Sequence, residues 1–140
     1  MISSTQARNH YGNPEKESSM VVWDVPTELE VGAIPNKIYC NKDMVKPLTK
    51  AFQNVKDRGL GHLIRTWDGC FNIRRQRGSA TASLHSWGLA IDINAAWNGL
   101  GKTPKIEPEL VKCFTDAGFI WGGVWRRPDG MHFELAEIPK

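Results

Sequence analysis

Two short segments alternate apolar and polar residues with a period of two, and they limit the architectures open to this chain. Leu89-Ala90-Ile91-Asp92-Ile93-Asn94 sets Leu89, Ile91 and Ile93 on one side and Ala90, Asp92 and Asn94 on the other. Met131-His132-Phe133-Glu134-Leu135 sets Met131, Phe133 and Leu135 against His132 and Glu134. Such alternation marks a strand buried on one face. Paired in one sheet, the two strands bury their apolar faces together and bring Asp92 and His132 onto one polar face. Gly88 suits a tight entry into the first strand from the loop that carries His85.

That polar face gathers the parts of a hydrolytic metal site. Catalytic zinc usually takes three protein ligands from nitrogen and oxygen donors and leaves a fourth position for water. His85, Asp92 and His132 can supply those three. Asp129 then remains as a carboxylate close to the metal but not bound to it, the position a general base requires. Taken singly, each residue has an ordinary structural explanation, a hydrogen-bonded histidine beside a tryptophan or an aspartate in a glycine turn. The joint pattern carries the argument.

Ser83-x-His85-x-x-Gly88-x-Ala90-x-Asp92, followed by Asp129-x-x-His132-Phe133-Glu134, resembles the zinc peptidases of bacterial cell walls. That group contains D-alanyl-D-alanine carboxypeptidases and L-alanyl-D-glutamate endopeptidases, and it shares its fold with the amino-terminal signalling domain of hedgehog proteins. The resemblance covers about residues 38–135 and is strongest over 66–94 and 119–135. It implies one zinc per chain held by His85, Asp92 and His132, with Asp129 as catalytic acid/base and a peptidoglycan stem peptide as substrate. It also implies an arginine, ahead of the His85 loop, that reaches in to hold the substrate. Arg74 is the first choice and Arg77 the second, and a planar guanidinium fork suits a carbonyl or carboxylate. Ser83 either faces the same pocket or makes a turn. Trp87 and Trp125 are candidates for the walls of a peptide groove, while Trp121 is better read as core. Glu134 shares the face of His132 and is placed to orient that imidazole.

Composition narrows the classes. A chain of 140 residues with 41% hydrophobic and 24% charged side chains suits one globular domain. A net charge of +3 is mild, and Arg74-Arg75-Gln76-Arg77 is too short a cluster to suggest nucleic-acid binding. No stretch is long enough to span a membrane, and the amino terminus has no apolar signal-like core. Cys40, Cys70 and Cys113 are odd in number and widely spaced, which suggests reduced, buried thiols and a cytoplasmic folding compartment. A wall-cutting enzyme without its own export signal resembles a phage endolysin, which implies a chain, expected as a monomer, that is made in the host cytoplasm and released to the wall once the membrane is permeabilised. The expected activity is L-alanyl-D-glutamate endopeptidase, ending in cell lysis. The alternatives are a D-alanyl-D-alanine carboxypeptidase and a non-catalytic, zinc-stabilised wall-binding module.

The element pattern predicts an α+β fold, a small antiparallel sheet with flanking helices, as one domain over residues 1–140. Residues 1–19 are polar and read as a loose arm or a loop over the core. Met20–Trp23, Ile38–Cys40 and His62–Trp67 read as strands. A helix is expected from a cap at Asn41, or from nearer Pro47, to about Arg58, and another from Pro108 to Gly118.

Overall fold

A computed structural model describes residues 1–76 and 81–140 and arranges them as an α+β fold. In chain order the elements are α1 Ser4–Tyr11, β1 Met20–Asp24, β2 Lys37–Asn41, α2 Val45–Asp57, β3 Trp67–Gly69, β4 Ala90–Ile93, α3 Pro108–Thr115, β5 Phe119–Trp121 and β6 His132–Leu135, joined in part by single 3-10 turns.

Both expected helices form, the first starting at Val45, beyond the Asn41 cap, and the second ending at Thr115. Asn41 caps a 3-10 turn, its side chain accepting from the Asp43 amide at 2.9 Å, and this turn leads into α2. Pro47 falls in the first turn of α2, where a missing N–H leaves no bond unmade. Leu48, Ala51, Phe52 and Val55 form a fully buried stripe on α2, and Leu110, Cys113 and Phe114 do the same on α3. The Asn54 amide donates to the Cys113 carbonyl at 3.0 Å and ties the two helices together.

β1 and β2 pair antiparallel as a separate two-stranded sheet. The other strands form an antiparallel sheet in the order β3-β4-β6-β5. In β4 and β6, Ala90 stands opposite Glu134, Ile91 opposite Phe133 and Asp92 opposite His132. Directly opposed residues share a face. Ile91 and Phe133 therefore face the helices, while Asp92 and His132 face away from them, as the alternation predicts. The Phe133 ring packs 4.7 Å from that of Phe114, which meets Phe52 at 6.4 Å, and Phe52 stacks on Trp23 of β1 at 5.9 Å. One core thus serves both sheets.

Two expectations are corrected. Residues 1–19, read as a loose arm or a loop over the core, contain the packed helix α1. Ser3 and Gln6 form a capping box, each side chain bonded to the other residue's backbone amide, and Ile2, Ala7 and Tyr11 are buried. So narrow an apolar stripe leaves the segment polar on average, which explains the misreading. His62–Trp67, read as a strand, begins with the 3-10 turn Gly61–Leu63, and the strand forms later, at Trp67–Gly69. From Ile64 to Thr66 the backbone finds partners outside any ladder. The Ile64 carbonyl accepts from the Ala33 amide at 3.0 Å, and the Asn94 side-chain oxygen accepts from the amides of Arg65 and Thr66 at 2.8 and 3.1 Å.

Candidate metal centre

His85 sits in the 3-10 turn Leu84–Trp87, which Ser83 caps by accepting from the His85 amide at 3.3 Å. Gly88 closes this turn in the left-handed region at φ 66°, and a Cβ there would stand 2.6 Å from the Asn41 backbone nitrogen. The chain can therefore double back from His85 into β4 only because residue 88 has no side chain. His85 Nδ1 lies 2.7 Å from the Cys70 carbonyl oxygen. A carbonyl only accepts, so the proton sits on Nδ1 and the Nε2 lone pair is left facing inward.

Across the strands, His132 Nε2 lies 2.8 Å from Glu134 Oε1, which in the same way turns the Nδ1 lone pair inward. His85 Nε2 and His132 Nδ1 stand 3.2 Å apart. Asp92 completes the triangle, with Oδ2 at 3.2 Å from His85 Nε2 and Oδ1 at 3.5 Å from His132 Nδ1. Two lone pairs and a carboxylate at such distances repel unless something positive lies among them.

The trio fits a metal ion on three counts. Donors held about 2.1 Å from a tetrahedral zinc stand about 3.4 Å apart, and these stand 3.2, 3.2 and 3.5 Å apart. Asp92 Oδ1 is buried with no hydrogen-bond partner among the described residues, an orphaned acceptor of the kind a cation satisfies. The ionisation preferences point the same way. Burial works to raise the Asp92 carboxyl, yet the positive charge that His132 and His85 can carry beside it overcomes this and holds the group well below the usual carboxylate range. Burial works to lower the His132 imidazolium, but Asp92 and then Glu134 outweigh it and push it up to about 9. The pocket is built for positive charge.

Asp129 lies beside the trio, with Oδ2 4.0 Å from His132 Nδ1. Burial raises its carboxyl above the usual range. Its backbone is fixed by the Asp129 amide, which donates to the Gly122 carbonyl at 2.9 Å. A Cβ on Gly122 would come 2.7 Å from the Asp129 carbonyl oxygen, so the first glycine of Gly122-Gly123 makes room for the loop that carries Asp129. Arg74 enters from the other side, its Nη2 4.0 Å from Asp92 Oδ2. Its backbone is clamped by Ser86, which accepts from the Arg74 amide at 3.1 Å and donates to the Arg74 carbonyl at 3.0 Å.

These groups open onto a cleft of about 750 Å³ lined by Arg74, Ser83, Asp92, Trp125, Asp129 and His132 among others. Trp125 lines the cleft, its ring centroid 5.2 Å from that of His132. Ser83 lines the cleft and also caps the turn. Trp87 is not among the residues that line this cleft. It is buried beneath α1, its indole donating to the Gly12 carbonyl at 2.9 Å with Arg8 packed 5.5 Å above the ring. Arg77 lies outside the described residues. Sequence reasoning missed the residues Met1 to Thr5, which form part of the cleft wall, and the rim residues Arg126 and Arg127. A recognised capping box would have revealed α1, but nothing local shows that its start reaches the cleft. Cys40, Cys70 and Cys113 are free and buried, and no described helix is long and apolar enough to cross a membrane.

Residues 77–135 match the family model described as D-alanyl-D-alanine carboxypeptidase, a stretch that takes in His85, Asp92, Asp129 and His132. No curated protein and no solved structure matches the chain.

Proposed function

We propose that this chain is a zinc-dependent peptidase that cleaves peptidoglycan stem peptides, as an endolysin-type L-alanyl-D-glutamate endopeptidase that lyses bacterial cells. The observation that carries this reading is the convergence of His85 Nε2, Asp92 and His132 Nδ1 at ligand spacing, beside an uncommitted Asp129. The family-model match supports peptidase chemistry on a cell-wall substrate. Zinc held by this trio would supply a Lewis acid that lowers the pKa of a coordinated water to about 7. Asp129 accepts the proton of the attacking water and returns it to the leaving amine, a contribution on the order of 10²–10⁴ in rate. Arg74 stabilises the negative charge that develops on the carbonyl oxygen. The Cys70 carbonyl and Glu134 hold the two imidazoles in register throughout.

Digestion of purified peptidoglycan by the zinc-loaded protein, with fragments identified by mass spectrometry, tests the reading. New amino termini at γ-linked D-glutamate are expected. Free D-alanine as the only product would replace the endopeptidase by the carboxypeptidase that the matching model's description favours. No product at all would leave a wall-binding module.

A further inference from the structure

We propose that Arg126 and Arg127 determine the specificity of the cleft by binding a free carboxylate of the peptide close to the scissile bond. The inference rests on the cleft being a peptide site and adds what the peptide must carry. Among the ionisable groups that line the cleft, Asp92 and Glu134 are committed to the histidines, and Arg74 already has Asp92 as a counter-charge. Arg126 and Arg127 also line it, are exposed, and have no ion pair among the described residues. With a divalent ion on the trio, the metal's two charges and those of the three arginines outweigh the carboxylates of Asp92, Asp129 and Glu134. The loaded cleft therefore carries a net positive charge that an anionic ligand would balance.

Position strengthens the case. The two arginines lie between Trp125, which faces His132, and Asp129, which flanks the trio. Their loop is pinned before and after them. The Trp125 and Asp129 amides both donate to the Gly122 carbonyl, at 3.2 and 2.9 Å, and the Gly101 amide donates to the Pro128 carbonyl at 2.7 Å. Arg127 lies along the Gly101 turn, where a Cβ on the glycine would be 3.8 Å from its Nε. A guanidinium on a fixed backbone loses less entropy on binding and can grip a carboxylate with two parallel bonds.

The carboxylate has two sources, an acidic residue inside the peptide or its free carboxyl end. The probes are the tetrapeptide L-alanyl-γ-D-glutamyl-L-lysyl-D-alanine, the same peptide with the glutamyl α-carboxylate amidated, and the same peptide with its carboxyl terminus amidated. Binding is read by calorimetry on the zinc-loaded Asp129→Asn protein, with and without Arg126→Gln and Arg127→Gln together. The unmodified tetrapeptide should bind roughly tenfold more tightly than one of the two amides, the scale of a charge-assisted contact. The double substitution should abolish that difference while leaving affinity for that amide unchanged. Which amide is disfavoured identifies the source. Equal binding of all three peptides, binding of none, or a preference that survives the double substitution would overturn the proposal. Because the readout is binding, a protein that shows the preference but never cuts would sink the peptidase reading and leave this one standing.

Discussion

Each imidazole of the candidate centre has one nitrogen committed, His85 Nδ1 to the Cys70 carbonyl and His132 Nε2 to Glu134, which leaves one inward-facing nitrogen on each. Asp129 is held by its backbone, and its carboxylate serves neither imidazole at hydrogen-bond distance. Asp129→Asn should therefore keep about one zinc per chain while hydrolysis falls on the order of a hundredfold, mainly in turnover. Undiminished lysis would move the base elsewhere, with Glu134 the first place to look. Glu134→Gln keeps the size of the side chain and removes the charge that draws a proton to His132 Nε2. Zinc affinity, read by competition with a chelator, should fall roughly 10- to 100-fold. An unchanged affinity would reduce Glu134 to a packing residue. The chemical side chains were legible in the sequence because side-chain type and spacing carry them. The Cys70 carbonyl that fixes His85 was not, since every residue has a carbonyl and only the fold selects one.

At the scale of elements, the site depends on turns more than on strands. The His85 turn closes through Gly88 at a positive φ and against the Asn41 backbone. Gly88→Ala combines backbone strain with a clash against main chain that cannot move aside, and should cost roughly 1–3 kcal/mol. A lower melting temperature and weaker zinc retention together would show it, and a variant as stable as the parent would refute it. β4 and β6 were readable because each has one wet face and one dry face, and alternation records that difference. His62–Trp67 misled because its backbone bonds go to the Asn94 side chain and a neighbouring loop, neither of which leaves a periodic trace. Trp87 misled for a related reason. The helix that covers it lies far away in sequence, so a tryptophan beside a ligand histidine passed for a groove residue.

For the whole molecule, the aromatic chain Trp23–Phe52–Phe114–Phe133 links the two-stranded sheet to the one that carries the ligands. Phe114→Ala should cost roughly 3–5 kcal/mol, measured by denaturant unfolding, with loss of zinc tracking loss of fold. A small cost with full zinc retention would mean that the core and the centre are independent. The class of fold could be read from the alternating segments and helix stripes, but the order of the strands could not. Alternation says which way a strand faces and nothing about its neighbours. In this sheet β6 lies between β4 and β5, so adjacent residues of one central strand serve the core through Phe133 and the candidate metal site through His132. On the proposed zinc reading, that adjacency would make the concentration of free zinc a thermodynamic control on the lifetime of the protein. Any ion that binds only the folded chain adds about 1.4 kcal/mol of stability for each tenfold rise in its concentration above Kd. In zinc-buffered calorimetry the unfolding temperature should climb steadily with the logarithm of free zinc, and replacing His85, Asp92 or His132 by alanine should flatten that climb. A flat line for the parent protein would show that no ion is coupled to this fold. A rising one would mean that zinc starvation leaves the protein open to proteolysis as well as idle.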